Sequence, residues 1–153
     1  MKIELILVGK TSKSYFQDAI EEYVKRISRY ISFDVKIIPD LKNSKNLSEK
    51  QIKELEGVAV LKQIDSSDYV VLLDDKGKSF TSKEMAIWLE QKQAQSIKKM
   101  VFVIGGAYGF SADVYTRTNE KISLSKLTFS HQIVRPIFLE QLYRAFTIMK
   151  GEP

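Results

Sequence analysis

Residues 100–110 read MVFVIGGAYGF, and the fold turns on them. Val101, Phe102, Val103 and Ile104, entered from Lys98 and Lys99, form the continuous apolar run of a central strand covered on both faces. The run breaks into Gly105, Gly106 and Gly109, where glycine lets the backbone turn sharply beside a ligand. Small molecules dock at strand ends in open α/β sheets. The question for the remaining segments is which of them reach that point.

Working outward, Lys2 to Val8 is a second strand of nearly continuous apolar character. The Gly9-Lys10-Thr11 that follows ends like a phosphate-binding loop, but that loop needs an earlier glycine where Glu4 stands, so Gly9 reads as a plain turn. From Ser14, apolar Phe16, Ile20, Tyr23, Val24, Ile27 and Tyr30 recur at helical spacing. Phe33 to Ile38 is a strand stopped by Pro39. Asp40 to Leu47 reads as a solvated, lysine-bearing loop in preference to a polyanion contact. Ser48 with Gln51, and Thr81 with Glu84, make capping boxes that open two further helices. Gly57 sits inside the first of these as a potential break. Tyr69 to Leu73 is a strand expected to end in a turn over Asp74 to Lys78. Met85, Trp88 and Leu89 mark the inner face of the next helix, with Trp88 assigned to the core. Ser111 caps a short helix containing Val114 and Tyr115. Ile122 and Leu124 suggest a last short strand, and Gln132 to Lys150 closes the chain as a helix interrupted near its start by Pro136. Five strands alternating with helices predict a single α/β domain over residues 1–153, a mostly parallel sheet flanked by helices.

Composition narrows the chemistry. With 153 residues the chain can bury a real core, and without cysteine it has no disulfide framework or thiolate chemistry. The start lacks a signal-peptide cleavage site, and no apolar run approaches the roughly 20 residues that cross a bilayer. A soluble, cytoplasmic protein with no membrane partner is expected. Lysine plus arginine number 24 against 19 acidic residues, a net +5 that makes an acidic partner such as RNA plausible.

GGxxG is not the GxGxxG of a dinucleotide site, and no acidic residue follows about 20 positions on. His131 is the lone histidine, and no cluster has metal-ligand spacing, so no metal is expected. Adjacent Asp74 and Asp75 fit a solvated turn better than a cation site. Ser130 beside His131 is not in a nucleophile-elbow context. Three loops leaving strand ends remain: Leu72 to Gly77, Ile104 to Gly109 and Leu124 to Phe129. Converging, they would form a pocket of backbone donors and apolar side chains suited to a neutral, adenine-bearing ligand, with Leu73, Ile104, Leu127 and Phe129 over its faces.

Four ordered blocks carry a resemblance. They are Leu73-Asp74-x-x-Gly77; Phe102-Val103-Ile104-Gly105-Gly106-x-x-Gly109; Leu124-Ser125-x-Leu127-Thr128-Phe129-x-His131; and Val134-Arg135 with Glu140-Gln141-Leu142-Tyr143-Arg144-Ala145-Phe146. Along essentially its whole length, to Gly151-Glu152-Pro153, the chain resembles the ribosomal large-subunit RNA (pseudouridine-N3) methyltransferase family of the SPOUT superfamily. The resemblance implies a C-terminal deep trefoil knot and a homodimer with sites at its interface. It implies S-adenosyl-L-methionine as methyl donor, contacted by Leu73, Gly105, Leu124, Ser125, Lys126, Leu127, Thr128 and Phe129. The substrate it implies is a pseudouridine in the helix 69 loop of 23S rRNA, in the large subunit or ribosome. His131, Arg135 and Arg144 fall in matching segments and are expected to face RNA or the partner subunit. Relatives are expected to continue past Gly-Glu-Pro with a tyrosine and one or two histidines, so the catalytic group that takes the N3 proton is left unassigned. Two alternatives stay open: an RNA-binding protein that keeps the fold without catalysis, and a related methyltransferase acting on tRNA or another base.

Overall fold

Side-chain alternation decides which layer each strand residue serves. In the computed structural model, which describes residues 1–153, the sheet order is β2-β1-β4-β3-β5 and every pairing is parallel. The strands are β1 (Lys2–Val8), β2 (Ser32–Ile38), β3 (Tyr69–Ser79), β4 (Lys99–Ile104) and β5 (Glu120–Ser123). The helices are α1 (Ser14–Ile27), α2 (Glu49–Lys62), α3 (Ser82–Ala94), α4 (Ala112–Arg117) and α5 (Val134–Met149). Ile3, Leu5 and Leu7 of β1, Val71 of β3, and Met100, Phe102 and Ile104 of β4 face a core closed by α1, α3 and α5. Ile6, Val8, Val70, Leu72, Val101 and Val103 face the opposite core, under α2 and α4. Period-two alternation along strands that are apolar throughout therefore yields three layers. On the first face Phe102 sits between Phe138, 4.9 Å away between ring centroids, and Trp88 at 6.2 Å. Trp88 is core, as expected, and its indole N–H donates to Glu120.

Both capping boxes form as the sequence indicates: Gln51 N–H donates to Ser48 Oγ and Glu84 N–H to Thr81 Oγ1, each at 3.1 Å. Gly57 does not interrupt α2. A Cβ there would lie 2.3 Å from Ser111 Oγ, so the glycine is what lets α4 approach so closely. Gly9 is the turn expected, at φ +83°.

β3 departs from expectation. It does not stop at Leu73 in a turn but continues through Asp74 to Ser79, pairing with β5 again after a register shift between Leu73 and Lys78. The continuation depends on Gly77, whose backbone lies so near that of β5 that a Cβ would come within 2.6 Å of Ile122. No helix is long and apolar enough to cross a membrane.

Candidate active site

Because all strands run the same way, their C-terminal ends share one edge, and the loops leaving it meet. A cavity of about 610 Å³ opens there, lined by Leu73 to Lys76 from β3, Ile104 to Phe110 after β4, and Ser123 to Ser125 with Leu127 to His131 after β5. Such a volume suits a nucleoside-sized ligand. Leu73, Ile104, Leu127 and Phe129 all line it, as the sequence led us to expect. Gly105, Leu124, Ser125 and Thr128 line it too; Lys126 does not, and is exposed.

Its walls are built by short-range backbone chemistry. Ser123 Oγ donates to Ser125 O at 2.9 Å, and Leu127 N–H donates to Ser125 Oγ at 3.0 Å, so two hydroxyls shape the loop after β5. A Cβ on Gly105 would stand 3.0 Å from the Phe110 ring, and one on Gly106 would stand 2.9 Å from Glu56 Oε2. The space a side chain would take at these two positions is filled by Phe110, itself part of the cavity lining, and by the α2 carboxyl, so each glycine presents only backbone. Glu56 was not apparent from sequence. Burial, and to a lesser degree Asp40, raise its carboxyl above the usual value, and its Oε1 is buried without a hydrogen-bond partner. Tyr115 was also missed as a site residue: its hydroxyl donates to Asp74, and both line the cavity. Burial alone would raise Asp74, but the Tyr115 hydroxyl and the Lys76 N–H bring it below the usual carboxylate value.

The three residues expected to face RNA or a partner part company. His131 lines the cleft, half-buried. Burial, then the Arg135 charge, hold its imidazole below the usual value against an opposing pull from Asp40, so it is neutral at pH 7 and able to accept a hydrogen bond. Arg144 lies on the outer side of α5, paired with Glu140 at 2.6 Å. Arg135 must be corrected. It is 0% exposed, and its guanidinium donates to Val8 O at 2.8 Å, Gly9 O and Thr11 Oγ1 at 2.9 Å, and His131 O at 3.0 Å. It cannot reach RNA in this fold; it ties the end of β1 to the start of α5 and fixes the backbone of His131.

No cluster of three or more His, Cys, Asp or Glu side chains is close enough to hold a metal ion. A parallel three-layer sheet with a glycine-walled cleft at the C-terminal ends of its strands is the framework of an α/β enzyme that binds a small molecule there. The family model described as "Predicted SPOUT methyltransferase" matches residues 1–153, and the chain belongs to that family. Among its relatives, the Parabacteroides distasonis protein named "Ribosomal RNA large subunit methyltransferase H" is 56% identical over 153 residues, covering 100% of this chain and 98% of that protein. Proteins of the same name from Flavobacterium psychrophilum and Bacteroides fragilis are 55% and 50% identical over the same shares.

Proposed function

We propose that this methyltransferase moves a methyl group from S-adenosyl-L-methionine to N3 of a pseudouridine in the helix 69 loop of 23S rRNA, working as a homodimer. The observation that carries the reading is the convergence of three strand-end loops on one cavity, in a chain 56% identical to a protein named for ribosomal RNA methylation. The residues fit the donor. Leu73, Ile104 and Phe129 offer apolar surface to an adenine ring, and the bare Gly105–Gly106 backbone offers amides and carbonyls to its edge.

When bound, the donor supplies a methyl already activated by its sulfonium, so the protein's task is alignment. Leu124, Ser125 and Leu127 to Phe129 form one wall, and the Ser125 hydroxyl holds that wall's backbone. Neutral His131 can accept a hydrogen bond from the incoming base, and Arg135 fixes its main chain from beneath. Support for the dimer comes from Tyr108, Leu127 and Ile133, large apolar side chains exposed around the cleft, Leu127 to 74%. A C-terminal trefoil knot is part of this reading, and the return path of the chain supports it. β5 ends at the sheet edge beyond β3, yet α5 starts beside the end of β1, so residues 124–133 cross back over the ends of the intervening strands.

The test is transfer of labelled methyl to ribosomes from cells lacking the modification, with tRNA in parallel. Label confined to helix 69 supports the reading. Label on tRNA transfers the activity to another substrate, and binding of RNA without label leaves a non-catalytic binder.

A further inference from the structure

The loop after β2 takes no part in the cleft wall, yet its charge is placed beside it. Lys42 and Lys45 lie in this loop, Lys50 and Lys53 on the first turns of α2, and Lys10 and Lys13 in the loop after β1. Three hydrogen bonds bring these segments together. Gly9 N–H donates to Ile38 O at 2.7 Å, Lys10 N–H to Asp40 Oδ2 at 3.3 Å, and Gln132 Nε2 to Lys10 O at 3.2 Å. The last bond places the group next to His131, while Lys53 itself lines the cavity. The loop has a defined shape: Asn43 adopts φ 58°, and a single 3-10 turn over Ser44–Asn46 closes with Leu47 N–H on Ser44 O at 3.1 Å.

None of these six lysines is ion-paired. Toward the N-terminal ends and the middle of the strands, Lys2, Lys36, Lys92 and Lys99 each meet a carboxylate, at 2.8, 2.9, 3.1 and 3.4 Å. Residues 9–13 and 40–54 set six lysines against the three carboxylates of Asp40, Glu49 and Glu54. Of these, Asp40 is turned onto the Gly9-Lys10 backbone. Lys50 and Lys53, three residues apart, share one face of α2. An unpaired positive surface continuous with a reaction cleft is suited to a polyanion whose reactive part enters the cleft.

We propose that Lys10, Lys13, Lys42, Lys45, Lys50 and Lys53 form the docking surface for the phosphate backbone flanking the target base, holding the RNA while that base enters the cleft. This rests on the RNA methyltransferase reading above, and it overrides the solvated-loop reading that sequence alone favoured. Phosphate contacts position a nucleic acid without reading its sequence, so the surface should set affinity and leave base choice to the cleft.

The experiment compares full-length wild type with Lys42→Gln/Lys45→Gln/Lys50→Gln and with Lys25→Gln/Lys62→Gln/Lys98→Gln. The control lysines are exposed, unpaired and close to the N-terminal ends of the strands, away from the cleft. Each is titrated with a helix 69 hairpin and with large subunits across a salt series, and S-adenosylmethionine binding is measured calorimetrically on the same samples. The docking variant should lose about tenfold or more in RNA affinity at low salt, with a log–log salt slope shallower by roughly 2, because each lost phosphate contact removes about 0.7–0.9. Cofactor affinity should stay unchanged, and KM for RNA should rise with little change in kcat. RNA affinity within twofold of wild type with an unchanged slope, or an equal loss in the control variant, overturns the proposal. Wild type that binds RNA but methylates none overturns the catalytic reading alone, and the affinity and salt slope of the docking variant still decide the surface.

Discussion

Replacing Arg135 by methionine separates a buried strut from an RNA contact. The side chain is 0% exposed, and its N–H groups serve three backbone carbonyls and the Thr11 hydroxyl. Methionine fills part of the volume and supplies no donor, so the carbonyls of Val8, Gly9 and His131 lose their partner. One unsatisfied buried acceptor costs about 1–3 kcal/mol. If water entering the vacated space serves all but two acceptors, the net loss is about 2–6 kcal/mol, offset in part by no longer burying a cation. That is a large share of the roughly 5–15 kcal/mol by which such domains are stable. Urea unfolding followed by tryptophan fluorescence reads it, since Trp88 lies in the core on which α5 packs. Arg135→Lys should recover part of the loss, because an ammonium reaches fewer of the four acceptors. A variant that unfolds within 0.5 kcal/mol of wild type while losing RNA affinity would refute the strut, since only surface substitutions are usually that mild.

Gly77→Ala should destabilise by at least about 1–3 kcal/mol, the usual cost of forcing extra atoms into packed structure, because the new Cβ meets β5 backbone at 2.6 Å. Calorimetric melting with no fall in Tm would contradict that close pairing. Glu56→Gln should raise stability at pH 8, with the gain shrinking as pH falls toward 4.5. Burial raises the native carboxyl, so the folded state binds more protons than the unfolded one between the unfolded and folded pKa values, and ionisation costs stability above that window. Melts across pH 4.5–8 measure this; a difference independent of pH would contradict a Glu56 carboxyl raised by burial.

Much of the scaffold was readable because its determinants are local. The apolar runs of β1 and β4, the two capping boxes and the Ser111 cap lie where the sequence put them. The end of β3 was not readable. Asp74 to Ser79 is polar and without alternation, and what keeps it extended is the non-local approach of Gly77 to Ile122. Arg135 was readable in principle: it lies three, four and seven positions before Phe138, Leu139 and Leu142, on the buried stripe of α5. Its charge argued for the surface, but a guanidinium that finds four acceptors can be buried. Glu56 behind Gly106 and Tyr115 against Asp74 join residues 50 and 41 apart in sequence, and no local pattern announces either pair.

The donor site proposed above is assembled from three segments: residues 73–76, residues 104–110 and, Lys126 excepted, residues 123–131. Amide hydrogen exchange on the intact protein, with and without saturating S-adenosylmethionine, tests it most directly, because it reads backbone protection segment by segment. Slowed exchange is expected in all three segments at once, with α1 and β2 unchanged. Saturable binding that protects none of them, or protects only one, would contradict the site.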